Sequence, residues 1–464
     1  MTQAQNVAIE SSQINSSGVL LTTGGGTGLS TVGTNGQVLT SNGTTLSWVT
    51  PTAQTYPAAG IANSTGSAWT TSYTTTGSGT VLALATSPTI TTPVIDKINT
   101  SVSGVSLGAG NASIMKNRII NGAMVISQRN GTSSVTPANG DYVIDRFKYE
   151  ASQASKFTAQ QLSASPPVGF NNYLGFTVAS AVSIGASDYF NFVQPIEGFN
   201  AADLGWGTAN AKTVTLSFQV YSSLTGTFGG ALQNNANNRS YPFSYSIPVA
   251  NTWTTISVTI AGDTTGTWLT TNGTAIRVQF GLGVGSTFSG TAGSWAASNY
   301  ISATGATSVV GTSGATFYIT GVQLEVGSSA TGFEYRQYTT ELQLCQRYLP
   351  AWTTNVNGTS NPSGAYIMRG TVDGSTVYIM ETYPVQPRAI PTGYVSTLAV
   401  TSYGVNYPGT ANPTVTAITF QSGGTSLTLF RLLVNVSSST TTGTNAYLNA
   451  GTNAATIYAT GCEL

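Results

Sequence analysis

Apolar and polar residues alternate with a period of two in segment after segment of this chain's middle, and that pattern limits what it can fold into. In KTVTLSFQVYSS the apolar positions are Val214, Leu216, Phe218 and Val220. NTWTTISVTIAG carries Trp253, Ile256, Val258 and Ile260, and AIRVQFGLGV carries Ile276, Val278 and Phe280. ATFYITGVQLEVGS adds Phe317, Ile319, Val322, Leu324 and Val326. Successive side chains of a strand point to opposite faces, so such segments build sheets with one buried side. Their spacing, with turn signals between them, predicts antiparallel sheets stacked as a sandwich or jelly roll. Helical periodicity is confined to TTELQLCQRYL, where Leu342, Cys345 and Leu349 share a face and Glu341 opens the turn. The expected fold class is all-β.

Charge narrows the function. Only 6% of the 464 residues are charged, 15 basic against 15 acidic, and there is no histidine; an average soluble protein has ~25%. A nucleic-acid partner is excluded, because no basic excess exists to neutralise phosphates. The missing imidazole removes Ser-His-Asp and Cys-His catalysis and histidine-bound zinc. Cys345 and Cys462 are too few and too far apart for a disulfide framework or a CxxC site, and each reads as a small core residue. No cofactor and no metal is expected. With 40% hydrophobic residues the chain can bury a large core. MTQAQNVAIESSQ has neither a basic n-region nor an apolar h-region, so export by a signal peptide is not expected.

Four stretches follow along the chain. Residues 1–50 carry one charge, Glu10, and the turn Ser41-Asn42-Gly43 between Val38-Leu39 and Leu46-Ser47-Trp48-Val49, a strong hairpin signal. Residues 51–112 are Ser/Thr/Gly-rich, and no Lys or Arg precedes Lys97. Pro88 and Pro93 break the β-branched run VLALATSPTITTPVI, which reads as extended chain or edge strand. Residues 113–349 hold the alternating segments and the short helix. Residues 350–464 form a second β-rich unit, with turns at Asp373-Gly374 and Ser422-Gly423-Gly424.

KNRIINGAMVISQR with DYVIDRF, NTWTTISVTIAGDTTGTW, and ITGVQLEVGSSATGFEYRQYTTELQLCQRY resemble the opening, centre and exit of a carbohydrate-binding-module-like jelly roll found in tail-fibre proteins of tailed bacteriophages. GTNGQVLTSNGTTLSW and VLALATSPTITTPVI resemble the low-complexity shafts of such fibres. The resemblance covers most of residues 30–348. It implies a homotrimer: a tail-attachment segment (1–50), an extended trimeric shaft (51–112), a jelly-roll β-sandwich (113–349) and a C-terminal β-sandwich tip for receptor binding (350–464). It also implies a virion protein, assembled in the host cytoplasm, held by a tail, baseplate or adaptor protein and adsorbing to host surface glycan or lipopolysaccharide. Three identical shafts would cover one another's exposed strand edges, which agrees with the residue-level reading. A tailspike-like depolymerase and a head-attached fibre or decoration protein are the alternatives.

Candidate residues were weighed against plain packing roles. Trp253 and Trp268 read as core rather than sugar-stacking platforms, and Trp206 and Trp295 lie nearer loops. Asp145 and Arg146, adjacent in a strand-like segment and so expected on opposite sides, and likewise Glu325, Glu334 and Arg336, read as structural charges. A glycosidase needs two carboxylates ~5–10 Å apart, and the densest acidic grouping is Asp141, Asp145 and Glu150, within the resembled motif; the chain is therefore not expected to be an enzyme. The tip offers Tyr403, Asn406 and Tyr407 in a Gly/Pro/Asn-rich loop, Trp352 and Asn355 after the boundary, and Tyr394 in IPTGYVST. Aromatic faces stack on sugar rings while amides bond sugar oxygens, so these six are the predicted glycan-binding residues. Three linked tips would gain ~10²–10⁴ in avidity.

Overall fold

A computed structural model describes residues 13–16, 19, 27, 29–52, 61–64, 69–73, 115–354, 366–406, 413–438, 441–450 and 454–464. The chain divides into two compact units, Met1–Ile95 and Asp96–Leu464. Among the described residues strands dominate and one α-helix occurs, as the alternation requires.

In the first unit the Asn-Gly signal makes its hairpin. Val38–Ser41 pairs with Leu46–Val49, Gly43 takes a left-handed φ of 92°, and Asn42 Oδ1 accepts from the backbone N–H of Thr44 and Thr45. The Trp48 ring lies against Gly33 and donates to Thr31 O. Val38, Leu39 and Val49 remain exposed. A second hairpin joins Ile61–Ser64 to Trp69–Tyr73. The segment around Pro88 and Pro93, and most of the expected shaft, lie outside the described residues.

The sandwich of the second unit has eleven principal strands: β1 (Tyr142–Ile144), β2 (Phe147–Ala151), β3 (Phe157–Leu162), β4 (Tyr173–Val178), β5 (Tyr189–Glu197), β6 (Val214–Ser222), β7 (Gly226–Asn234), β8 (Ser240–Ile247), β9 (Thr254–Ile260), β10 (Thr274–Val284) and β11 (Thr316–Val326). They form a five-stranded sheet, β9-β6-β11-β4-β3, and a six-stranded sheet, β8-β7-β10-β5-β2-β1. The labelled strands pair antiparallel throughout. The residues picked by alternation in β6 are all in the core. In β11 the phase slips between Ile319 and Val322, because β11 bulges at Gly321, φ 63°, with one extra residue opposite Ser217–Gln219 of β6. Aromatic stacking bridges the layers: Phe192 of β5 lies 5.0 Å from Phe176 and 5.0 Å from Phe280, which meets Phe218 edge-on at 5.2 Å.

Asp145 and Arg146 fall in the β1–β2 turn, where Arg146 has φ 72°, and not in a strand; both are buried. Asp145 accepts from the backbone N–H and side-chain amide of Gln128, each at 2.6 Å, while the Arg146 guanidinium stacks 3.5 Å over Tyr348. Glu334 takes the backbone N–H of Asn117 at 2.7 Å, and Arg336 reaches Ile119 O and Glu341. These charges stitch residues 115–121, which lead into the sandwich, to the segment that leaves it. The helix α1 (Tyr338–Gln346) buries Cys345.

Nine strands follow: β12 (Ala351–Thr354), β13 (Tyr366–Asp373), β14 (Thr376–Thr382), β15 (Gly393–Ser396), β16 (Gly404–Asn406), β17 (Val415–Phe420), β18 (Leu429–Val436), β19 (Asn445–Asn449) and β20 (Ala455–Thr460). A three-stranded sheet, β12-β20-β15, and a six-stranded one, β16-β19-β13-β14-β18-β17, enclose a second core. A joint ties this part to the sandwich. Arg129 pairs with Glu463 in two hydrogen bonds, Tyr142 and Tyr458 donate to Leu464 O and Gln128 O, and Arg388 donates to the carbonyls of Asn272, Cys462 and Glu463. Cys345 and Cys462 are buried free thiols; burial pushes the Cys462 thiol up to about 12.

Candidate functional site

The outer face of the sandwich's six-stranded sheet is polar by the same alternation that fills the core. Phe190, Phe192 and Ile196 turn inward from β5, which sends Asn191 outward. In β10 the inward set Ile276, Val278 and Phe280 leaves Arg277 and Gln279 outside; β7 contributes Gln233 and β2 contributes Lys148 and Glu150. Register places Glu150 opposite Asn191 and Gln233 opposite Arg277.

These side chains form one hydrogen-bonded run across the strands. Asn191 Nδ2 donates to Gln279 Oε1 at 2.9 Å, Gln279 Nε2 to Gln233 Oε1 at 2.7 Å, and Gln233 Nε2 to Asn299 Oδ1 at 2.6 Å. Glu150 accepts from Arg277 Nη2 at 2.5 Å and pairs with Lys148 Nζ at 3.2 Å. Burial works against the Glu150 charge, but Arg277 and Lys148 outweigh it and hold the carboxyl below its ordinary range. The run lines a cleft of about 330 Å³. Tyr189 and Phe288 stand on its wall, edge to face with centroids 5.5 Å apart, and Asn139, Asn237 and Asn299 rim it.

Two polar atoms of this cleft lack partners. Asn191 is fully buried, yet its Oδ1 accepts no hydrogen bond, and Arg277 Nε donates none. A buried unsatisfied group costs ~1–3 kcal/mol, and most such groups in folded proteins are satisfied. The amides of Asn139, Gln233, Asn237 and Asn299 beside two aromatic rings fit a ligand whose hydroxyls both give and receive hydrogen bonds.

The tryptophans divide. Trp206, Trp268 and Trp295 meet edge to face at 4.8–5.4 Å, and their indole N–H groups bond Lys212 O, Asp263 Oδ2 and Ala261 O. Asp263 also binds Arg239 through two hydrogen bonds, so this cluster is a cross-braced part of the sandwich. Trp253 stands apart, half-buried on the outer side of the five-stranded sheet with Tyr173 and Tyr221. Its odd position, three residues from Ile256, sends it away from the core.

The acidic grouping serves turns and ion pairs. Asp141 accepts from the Ala138 N–H at 2.8 Å, Asp145 binds Gln128, and Glu150 binds Arg277. The larger cleft of about 410 Å³ at the joint is lined by Arg129, Asp141, Tyr142 and Glu463; the hydrogen bonds of Arg129 to Glu463 and of Tyr142 to Leu464 hold the two parts together.

Of the six tip residues predicted from sequence, four are among the described residues. Tyr403 is buried in the second core, with its hydroxyl 2.6 Å from Ser396 Oγ. Tyr394 donates to Ile418 O at 3.0 Å, and Trp352 stacks on Phe430 at 4.8 Å while its indole reaches Thr382 O. Asn406 lies in β16 opposite Tyr447. Tyr407 and Asn355 lie outside the described residues. Sequence reading passed over Asn191, Gln233, Gln279, Arg277, Tyr189 and Phe288. The available signal was an amide at the outward position of three strongly apolar strands, YFNFVQPIE, GALQN and IRVQFGLG, where amides are disfavoured.

No known family model matches the chain, and no curated protein does. Among solved structures it is similar to the enzymatically active domain of bacteriophage CBA120 tailspike protein 4, at 13% identity over 46% of this chain and 22% of that one, with a TM-score of 0.26. It is also similar to a family 11 carbohydrate-binding module from a Clostridium thermocellum cellulase (12%, 44% and 99%, TM-score 0.22). A third is a family 61 module in complex with β-1,4-galactotriose (10%, 46% and 99%, TM-score 0.24). The chain thus spans about a fifth of the tailspike domain's length. At these TM-scores the likeness bears no weight for ligand or activity.

Proposed function

We propose that this chain is a structural tail-fibre protein of a bacteriophage virion that adsorbs to host surface glycan or lipopolysaccharide through the amide-lined cleft, with no bond made or broken. The observation that carries the binding half is the cleft lined by the amides of Asn139, Gln233, Asn237 and Asn299 and walled by the rings of Tyr189 and Phe288. Hydroxyls of a saccharide would bond those amides, and its C–H face would lie on the rings. Because Glu150 already neutralises Arg277, the cleft suits a neutral sugar.

The fibre half rests on the resemblance and on exposure in the first unit. Val38, Leu39 and Val49 of the first hairpin are 38–48% exposed, as expected of strands covered by copies of the same chain in a homotrimer. An N-terminal tail, baseplate or adaptor contact and virion location complete the reading.

Titration of the intact protein with neutral oligosaccharides released from host envelope tests the proposal. Binding that Asn191→Ala abolishes supports it, and binding indifferent to Asn191→Ala sinks the cleft assignment. Light scattering tests the trimer. Release of reducing ends from host polysaccharide would replace this reading with a depolymerase.

A further inference from the structure

The outer face of the C-terminal six-stranded sheet carries a second cleft, of about 210 Å³, lined by Arg369, Gly370, Thr371, Met380, Asn445 and Tyr447. Register builds it. Arg369 of β13 lies opposite Tyr447 of β19, which lies opposite Asn406 of β16. On the other side, one step beyond the Gly370–Ile379 pair, Arg369 faces Met380, which lies opposite Arg431 of β18. The inward neighbours Met368, Val372, Ile379, Leu432 and Leu448 are core, so these positions share the outer side. Gly370 takes the inward phase between Met368 and Val372, where a Cβ would collide with the Tyr378 carbonyl.

The arginines on this face differ from the other arginines of the chain. The cations Arg118, Arg129, Arg239, Arg277, Arg336 and Arg347 all lie in ion pairs, and Arg146 and Arg388 donate to backbone carbonyls. Arg369 and Arg431 have no carboxylate partner among the described residues. Arg431 is folded over Gly424 and stands 5.8 Å from the Tyr378 ring, whereas Arg369 is exposed in the cleft. Asp373 stands on the same side of β13 but four residues away, ~13 Å along a strand, where it accepts from Thr442 Oγ1. Glu381 accepts from the backbone N–H of Arg369, not from its guanidinium. Two large side chains flank the arginine in solvent, Met380 at 44% and Tyr447 at 37% exposure.

We infer that this cleft binds the anionic substituent of an acidic saccharide, a carboxylate or a phosphate, on the Arg369 guanidinium. The planar fork of an arginine matches either group in a bidentate manner. Thr371 and Asn445 supply hydroxyl and amide groups beside it, and the Met380 and Tyr447 side chains offer the apolar surface that a sugar ring covers. The saccharide half of the assignment rests on the function proposed above; the anion half rests on the arginine alone.

The test uses the intact protein titrated with trigalacturonic acid, with the neutral galactose trisaccharide, and with inorganic phosphate as competitor. Trigalacturonic acid is expected to bind, with affinity reduced about tenfold or more by Arg369→Gln and further by raising salt from about 0.05 to 0.5 M. Because Arg369 is exposed, the variant should keep the wild-type melting temperature. Phosphate that binds and is lost with Arg369→Gln, where trigalacturonic acid does not bind, assigns the anion as phosphate. Asn191→Ala strikes the neutral-sugar cleft instead, so losing one binding while keeping the other tells the two readings apart. Acidic binding unchanged in Arg369→Gln, or no binding of either anion, overturns the inference.

Discussion

On the outer face of the sandwich's six-stranded sheet, Lys148 and Arg277 share Glu150 and four amides lock into a run. On the matching face of the C-terminal sheet, two arginines lack a carboxylate partner among the described residues, and a tyrosine and a methionine are partly exposed. Both faces arise from the same rule, that alternation sends every second side chain away from a core. What differs is how far the outward residues are engaged before a ligand arrives. The first face is pre-organised, and on the proposed reading its amides would select hydroxyls. The second keeps its charge available, so long-range attraction would govern what it captures.

The largest expected effect tests whether the stacked core maintains the sandwich face. Phe192→Ala removes the ring between Phe176 and Phe280 and is expected to cost ~3–5 kcal/mol, read as a lower urea midpoint. A loss below ~1 kcal/mol would mean that the layers are held elsewhere.

The joint between the two regions supplies the next. Burial, opposed by the Gln128 hydrogen bonds, pushes the Asp145 carboxyl up to about 6. The folded chain then holds a proton that the unfolded chain releases near its ordinary value of 3.8, so stability falls as pH rises through about 4 to 6. At 1.36 kcal/mol per pH unit the fall is ~2–3 kcal/mol. Asp145→Asn should flatten the profile over that window while carboxylates held low, such as Glu150 and Asp263, act at lower pH. An unchanged slope in the variant would assign the dependence to another group.

At the cleft itself, Asn191→Ala deletes the open acceptor and breaks the amide run, with an expected loss of ~1–3 kcal/mol in neutral-sugar binding. That binding should ignore salt, since the cleft's charges are internally paired; strong salt dependence would erase the contrast between the faces. Smallest is Tyr189→Ala, expected to weaken binding by ~0.5–1.5 kcal/mol through lost stacking, measured in the same titration.

Much of the fold could be read in the sequence. The alternation in β6, β10 and β11 gave the inward residues, and Asn42-Gly43 gave a hairpin with its left-handed glycine. Local pattern misplaced Asp145 and Arg146, because a two-residue turn between short strands looks like one continuous strand. It also grouped Trp253 with Ile256, although an odd and an even position face opposite ways. The site was harder to find. Asn191, Gln279 and Gln233 are separated by tens of residues, and only strand order and register place them in hydrogen-bonding contact. The aromatic and amide residues of the tip drew attention because they cluster in sequence, yet Tyr403, Tyr394 and Trp352 pack into or against the second core.

The amide run has a polarity. From Asn191 through Gln279 and Gln233 to Asn299, each N–H points the same way, so the amide dipoles add head to tail and each bond polarises the next. The negative end of that series is Asn191 Oδ1. A bound sugar chain would therefore meet an electrically lopsided groove, and its two directions of threading, reducing end first or last, would differ in energy. On the proposed reading the cleft would tell not only which rings it holds but which way round they lie.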